Sequence, residues 1–169
     1  MIKIIEDRMT AQIEGDFVVF LIGMRINKLL KPWKWMPVAQ AMPRMLIELA
    51  QKPELGLLHA RTHFGLRNVL VVQYWRSFEQ LHQYAVERDA EHLPAWRQFN
   101  QAVGSSGDVG IWHETYLVPN GAYESVYGNM PAYGLGLAGE LIPAKGARQS
   151  AKGRLRQSDG QDQPVTAPV

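Results

Sequence analysis

The stretch Gln73–Val118, QYWRSFEQLHQYAVERDAEHLPAWRQFNQAVGSSGDVGIWHETYLV, decides the fold. It begins inside a nearly all-apolar run, VLVVQYW (69–75), which reads as a strand. Ser77 starts a helix, with Gln80 three residues on completing a capping-box pattern and Leu81, Tyr84 and Ala85 supplying the inner face. Asp89 and Pro94 open a second helix, whose face carries His92, Trp96, Phe99 and Val103. GSSGD (104–108) turns the chain into a strand in which Val109, Ile111, His113, Thr115 and Leu117 alternate with Gly110, Trp112, Glu114, Tyr116 and Val118. His92 and His113 both fall on faces expected to be buried. A buried imidazole is costly unless something uses or satisfies it, so these two residues are the leading functional candidates.

Upstream, DFVVFLIGMRI (16–26) is β-branched and aromatic with almost no polar interruption, the pattern of a central strand covered on both faces. NKLLKPWKW (27–35) reads as a loop carrying Trp33 and Trp35. A helix is expected from Pro37, with Val38, Met42, Met45, Leu46 and Leu49 on one face and a kink or restart at Pro43. GLLHARTHFG (56–65) alternates and suits a sheet edge, and Gly65–Asn68 makes the hairpin turn to the next strand. The order is β-α-β-β-α-β, a ferredoxin-like α+β plan with strands 16–26 and 69–75 in the centre. Helices cover one sheet face. The other, carrying Trp112 and Tyr116, is expected to bury itself against a second copy, giving a homodimer.

The flanks are read differently. Residues 1–15 are a loose arm, 16–131 the folded domain and 132–169 a Gly/Pro/Ala-rich basic tail, structureless from about Pro143. A short strand is expected at 123–129. Of the 18 basic residues, five (Lys145, Arg148, Lys152, Arg154, Arg156) belong to the tail, and residues 1–139 balance at 13 basic against 13 acidic. The net charge of +2 is thus a property of the tail and makes no case for nucleic-acid binding by the fold. The absence of cysteine excludes thiolate metal sites and a cysteine nucleophile. The first residues carry charge and no long apolar core, and Phe17–Met24 is too short to span a bilayer, so a soluble cytoplasmic protein without membrane partners is expected.

The element order, together with YWRS before the second helix, EHLPAW within it and GIWHETY in the last strand, resembles the dimeric α/β-barrel superfamily. Within it the chain is most similar to a monooxygenase-like family related to heme-containing aldoxime dehydratases and, more distantly, to antibiotic-biosynthesis monooxygenases. The resemblance covers roughly residues 16–131. It implies heme b held between sheet and helices, with His92 as axial iron ligand and His113 as distal acid/base. In the dehydratase version an aldoxime becomes a nitrile plus water; in a monooxygenase version oxygen is activated at the iron on a small organic substrate. The chain departs from the dehydratase pattern in having one ferredoxin-like half rather than two, and in offering only Arg25 near the substrate oxygen, with no serine that aligns.

Trp96, Phe99, Met42 and Met45 would line the apolar slot for heme, and Arg25 joins His113 as a catalytic candidate. Bland alternatives stand beside each. His92 also reads as a helix-start histidine capping its turn, His113 as a packed core histidine, and Arg25 as a strand-end guanidinium that snorkels. A cofactor-free reading places Trp112, Glu114 and Tyr116 around an aromatic substrate, both histidines being structural. A non-catalytic dimer that only binds a small ligand is the third.

Overall fold

The computed structural model of the chain describes residues 3–87, 104 and 106–155. The expected helix with His92, Trp96 and Phe99 lies outside the described residues. The chain forms two compact units, one of Val18–Leu117 and one assembled from the two ends, Met1–Phe17 with Val118–Val169.

In chain order the elements are β1 (Met9–Gln12), β2 (Phe17–Ile26), α1 (Pro32–Gln51), β3 (Leu57–Phe64), β4 (Asn68–Trp75), α2 (Phe78–Val86), β5 (Val109–Val118) and β6 (Glu140–Pro143). Four strands form one sheet in the order β3-β4-β2-β5, so the two near-continuously apolar strands are central and the two alternating ones are edges. This is the ferredoxin-like arrangement read from the sequence. The β2–β4 register runs antiparallel from Val18↔Trp75 to Arg25↔Asn68. Gly65 N donates to Asn68 O at 2.8 Å and closes the β3–β4 turn.

The helix α1 differs from its expected bounds. It begins at Pro32, includes Trp33 and Trp35, and continues through Pro37 and Pro43 without a restart. Proline at the first helical position forfeits an N–H that has no intrahelical partner there anyway, whereas an interior proline costs a hydrogen bond. The stripe Ala41, Met45 and Leu49 is buried on Val18, Trp75, Leu81 and Tyr84. At roughly 1.5–3 kcal/mol for each large apolar side chain removed from water, that stripe holds the helix together across the two interruptions. Ser77 caps α2 as expected, accepting from Gln80 N at 3.2 Å. The Gln80 side chain does not complete the box; its amide donates to Glu54 O at 3.2 Å instead.

A second, smaller cluster seats the start of β5. Val109 is buried with Met24 and Ile26, and Trp35, Val38 and Val69 pack around them. Beside it Asp108 is buried and accepts from Lys31 Nζ at 2.9 and 3.1 Å, tying the start of α1 to the start of β5. That hydrogen bond holds the Asp108 carboxyl below its ordinary range, aided by the charges of Lys31 and Lys34 and opposed by desolvation.

In the unit made from the chain ends, the described residues of the expected loose arm and of the expected structureless tail up to 155 are ordered instead. β1 pairs antiparallel with β6, Met9↔Pro143 through Gln12↔Glu140. The expected strand at 123–129 is instead a run bridged to the arm at Met9↔Tyr127 and, just beyond it, Ile5↔Met130. Tyr123 Oη both accepts from Ile13 N at 2.7 Å and donates to Ile13 O at 3.1 Å. The polar, Gly- and Pro-rich composition hid this because backbone pairing between distant segments leaves no local periodicity. Gly139 is required by close approach: a Cβ there would collide with the backbone carbonyl of Gln12.

Two outcomes follow. Truncation after Gly139 removes β6 and exposes the β1 edge, so it lowers the melting temperature, measured by circular dichroism. Since the folded pKa of Asp108 is depressed, its stabilisation is present above the ordinary carboxylate value of about 3.9 and lost as pH falls through the folded value. A thermal-melt series between about pH 2 and 6 therefore shows a shallower acid loss in Asp108→Asn than in the parent.

Candidate functional site

Consecutive side chains of a strand point to opposite faces, and the core contacts show which face is which. Val18, Met24 and Ile26 of β2 pack with residues of α1, so even-numbered residues of β2 face the helix side. Phe20 belongs to this set and its ring meets the His113 imidazole at 5.6 Å between centroids. His113 therefore sits on the helix side of β5, as its alternation implied. The burial expected for it is not found: His113 is exposed, as are Ile111, Thr115 and Leu117 on the same face. The described helices pack over Val18 and Trp75, and among the described residues they leave the β5 edge uncovered.

Arg25 lies on the other face. It stands between the inward Met24 and Ile26, is exposed, and donates from Nη1 to Asn68 Oδ1 at 3.3 Å. The two catalytic candidates, His113 and Arg25, are thus on opposite sides of the sheet and are not brought together. Met45 is buried in the main core under α1 and does not line an open slot. Met42 is half-buried at the margin of that core, nearer the open strip. The remaining candidates for cofactor binding, His92, Trp96 and Phe99, fall outside the described residues. Lys31 is engaged with Asp108.

Gln73 is a residue that sequence reasoning passed over. It is buried in the middle of β4, directly opposite Phe20, so Gln73, Phe20 and His113 form a row across the helix side of three adjacent strands. Its Oε1 accepts from Trp75 Nε1 at 2.8 Å, and its Nε2 donates to Met42 Sδ at 3.8 Å. Trp75 is 1% exposed, so this is the bond that satisfies its indole N–H. The signal was present in the sequence, as the one amide in the otherwise apolar run VLVVQYW (69–75).

The opposite face carries a different group. Trp112 lies flat on Gly23: a Cβ at Gly23 would stand 2.6 Å from Trp112 Nε1. The indole is 41% exposed and Tyr116 50% exposed. Tyr116 Oη donates to Glu114 Oε2 at 2.6 Å, and this bond together with the Glu114 charge raises the Tyr116 pKa. Val19, Leu21, Leu70 and Val72 are half-buried on the same side.

Replacing Gln73 by Leu leaves the buried Trp75 N–H unpaired, and urea unfolding then shows a loss of about 1–3 kcal/mol, whereas Gln73→Glu restores an acceptor at the cost of a buried charge. Gly23→Val displaces the Trp112 indole, read as a shift in tryptophan fluorescence that is absent in the Trp112→Phe background.

Residues 17–135 match the model of the family described as Monooxygenase af470-like. Monooxygenase af470 of Aspergillus fumigatus is 30% identical over 151 residues, covering 76% of this chain and 53% of the relative. The chain thus spans about half the length of the curated relative it matches. Among solved structures, an aldoxime dehydratase in complex with butyraldoxime superposes with a TM-score of 0.65 at 13% identity, over 79% of this chain and 40% of that one. That likeness is one of fold. On the match over residues 17–135, the chain belongs to the Monooxygenase af470-like family.

Proposed function

We propose that the chain is a small-molecule enzyme of the monooxygenase class, working along the open helix-side strip of β2 and β5 with His113 as its acid/base. The observation that carries this reading is the imidazole of His113, exposed on Phe20 and without a hydrogen-bond partner among the described residues. An imidazole at the edge of an apolar strip formed by Phe20, Ile22 and Ile111 can hold or move a proton at a substrate oxygen or nitrogen.

The described part of the strip suits a flat apolar group, as the Phe20 ring meets the imidazole and Ile22 and Ile111 share its face. Heme b held through His92 is the cofactor this reading assigns, and it would supply a redox-active Lewis-acidic iron for oxygen or aldoxime chemistry. His113 would deliver a proton to a leaving oxygen or to an oxygen being reduced, and take one back. Met42, held to the sheet by Gln73, would border the slot. Arg25 has no part in it, being on the far face.

A second reading rests on the opposite face. There Trp112, Glu114 and Tyr116 form an aromatic platform with a carboxylate hydrogen-bonded at 2.6 Å, suited to a cofactor-free reaction on an aromatic substrate. The same half-exposed apolar face supports a homodimer in which two sheets pack face to face.

Purified protein expressed with ample heme precursor is expected to show a Soret band that is lost in His92→Ala and retained in His113→Ala, with turnover lost in both. Colourless protein would sink the heme assignment and leave the aromatic platform as the working site. Light scattering of Trp112→Glu, compared with the parent, tests the sheet-to-sheet dimer: the substitution is expected to halve the mass.

A further inference from the structure

We propose that the unit formed by the chain ends carries a second binding site, a cationic cleft for the phosphate group of a small phosphate monoester. The cleft encloses about 270 Å³. Its polar wall is formed by Thr10, Tyr123, Lys145, Arg148 and Arg154, with Ile142 as an apolar patch, and among the described residues no Asp or Glu lines it.

Arg154 is the built element. Its side chain is only 5% exposed, an unusual state for a guanidinium. Nε is paired with Glu124 at 2.5 Å, and Nη1 donates to the carbonyls of Arg148 at 3.0 Å and Gln149 at 2.8 Å. These bonds fix the planar fork and neutralise one charge. The Nη2 group has no partner among the described residues, although its residue forms part of the cleft wall. The same bonds hold the turn Gly146–Gln149, which carries Arg148 and follows Lys145, at the rim. Both side chains are exposed, and neither has a hydrogen-bond or ion-pair partner among the described residues.

The excess is two positive charges, on Lys145 and Arg148, in the wall to which the held Arg154 guanidinium also belongs. A phosphate monoester carries close to two negative charges at neutral pH and three acceptor oxygens, which matches that arrangement better than a monocarboxylate does. The cleft has room for about nine waters' worth of ligand, so the phosphate would bring a short organic group to lie on Ile142. The site is independent of His113 and of the strip along β5. It gives a role to basic residues that composition alone placed in a structureless tail.

The test uses the full chain and titration calorimetry at fixed ionic strength, with inorganic phosphate and glycerol phosphate as probes. Saturable one-to-one binding is expected, weakened at least roughly tenfold in the double variant Lys145→Ala/Arg148→Ala and unchanged in Lys52→Ala. Both replaced side chains are exposed, and circular dichroism verifies that the double variant is folded. Absence of saturable binding, equal affinity in the double variant, or equally tight binding of succinate would overturn the proposal. Sedimentation with phosphatidic-acid vesicles separates the sources of the phosphate group. Co-sedimentation that the double variant loses assigns it to a lipid, and glycerol phosphate binding without co-sedimentation assigns it to a soluble metabolite.

Discussion

Pleated backbone sends successive side chains to opposite faces of a sheet, and in this protein that constraint governs what can act together. Along β2 it drives Val18, Phe20, Met24 and Ile26 under or toward α1 and turns Val19, Leu21, Gly23 and Arg25 the other way. Along β5 it divides His113 from Trp112, Glu114 and Tyr116. The domain therefore offers two chemically distinct surfaces on one sheet. Among the described residues, one is an apolar strip bordered by the His113 imidazole. The other carries the aromatic platform with Glu114 and Arg25 and, on β3, His59, Arg61 and His63. Neither can borrow residues from the other without breaking the pleat.

The helix side depends in turn on one satisfied polar contact. Among the described residues Trp75 is the largest side chain withdrawn fully from water, and its indole N–H would be an uncompensated donor in the core without Gln73. Because Gln73 faces Phe20 across the β2–β4 ladder, the same amide that stabilises the core also stands beside the ring that meets His113 and ties Met42 to the sheet. Stability and site geometry are coupled through that residue. The Lys31–Asp108 pair has an analogous role at the other end of β5, where it fastens the strand's start to the start of α1.

The two ends of the chain form a unit of their own. Backbone pairing between β1 and β6, the double hydrogen bond of Tyr123 with Ile13, and the Arg154 clamp on the turn at 146–149 each join residues far apart in sequence or order a short basic segment. None of these contacts depends on a long apolar run. They show how a stretch with the composition of a linker can still be folded when its partner lies more than a hundred positions away.

The sequence by itself determined the sheet. Uninterrupted β-branched runs at 16–26 and 69–75 place those strands in the centre, alternation at 57–64 and 109–118 makes the other two edges, and Ser77 marks the start of α2. These features are local: periodicity and capping are written within a few residues. Alternation even assigned His113 to the helix side correctly. Whether that side is covered at β5, which face Arg25 shares, and how α1 passes through two prolines were decided only by tertiary structure. Each of those outcomes is a balance between packing and a local penalty, and the packing partner is not a neighbour in sequence. The pairing of the chain ends is the extreme case, since β1 and β6 have no local signal strong enough to name them and exist because each supplies the other's missing hydrogen bonds.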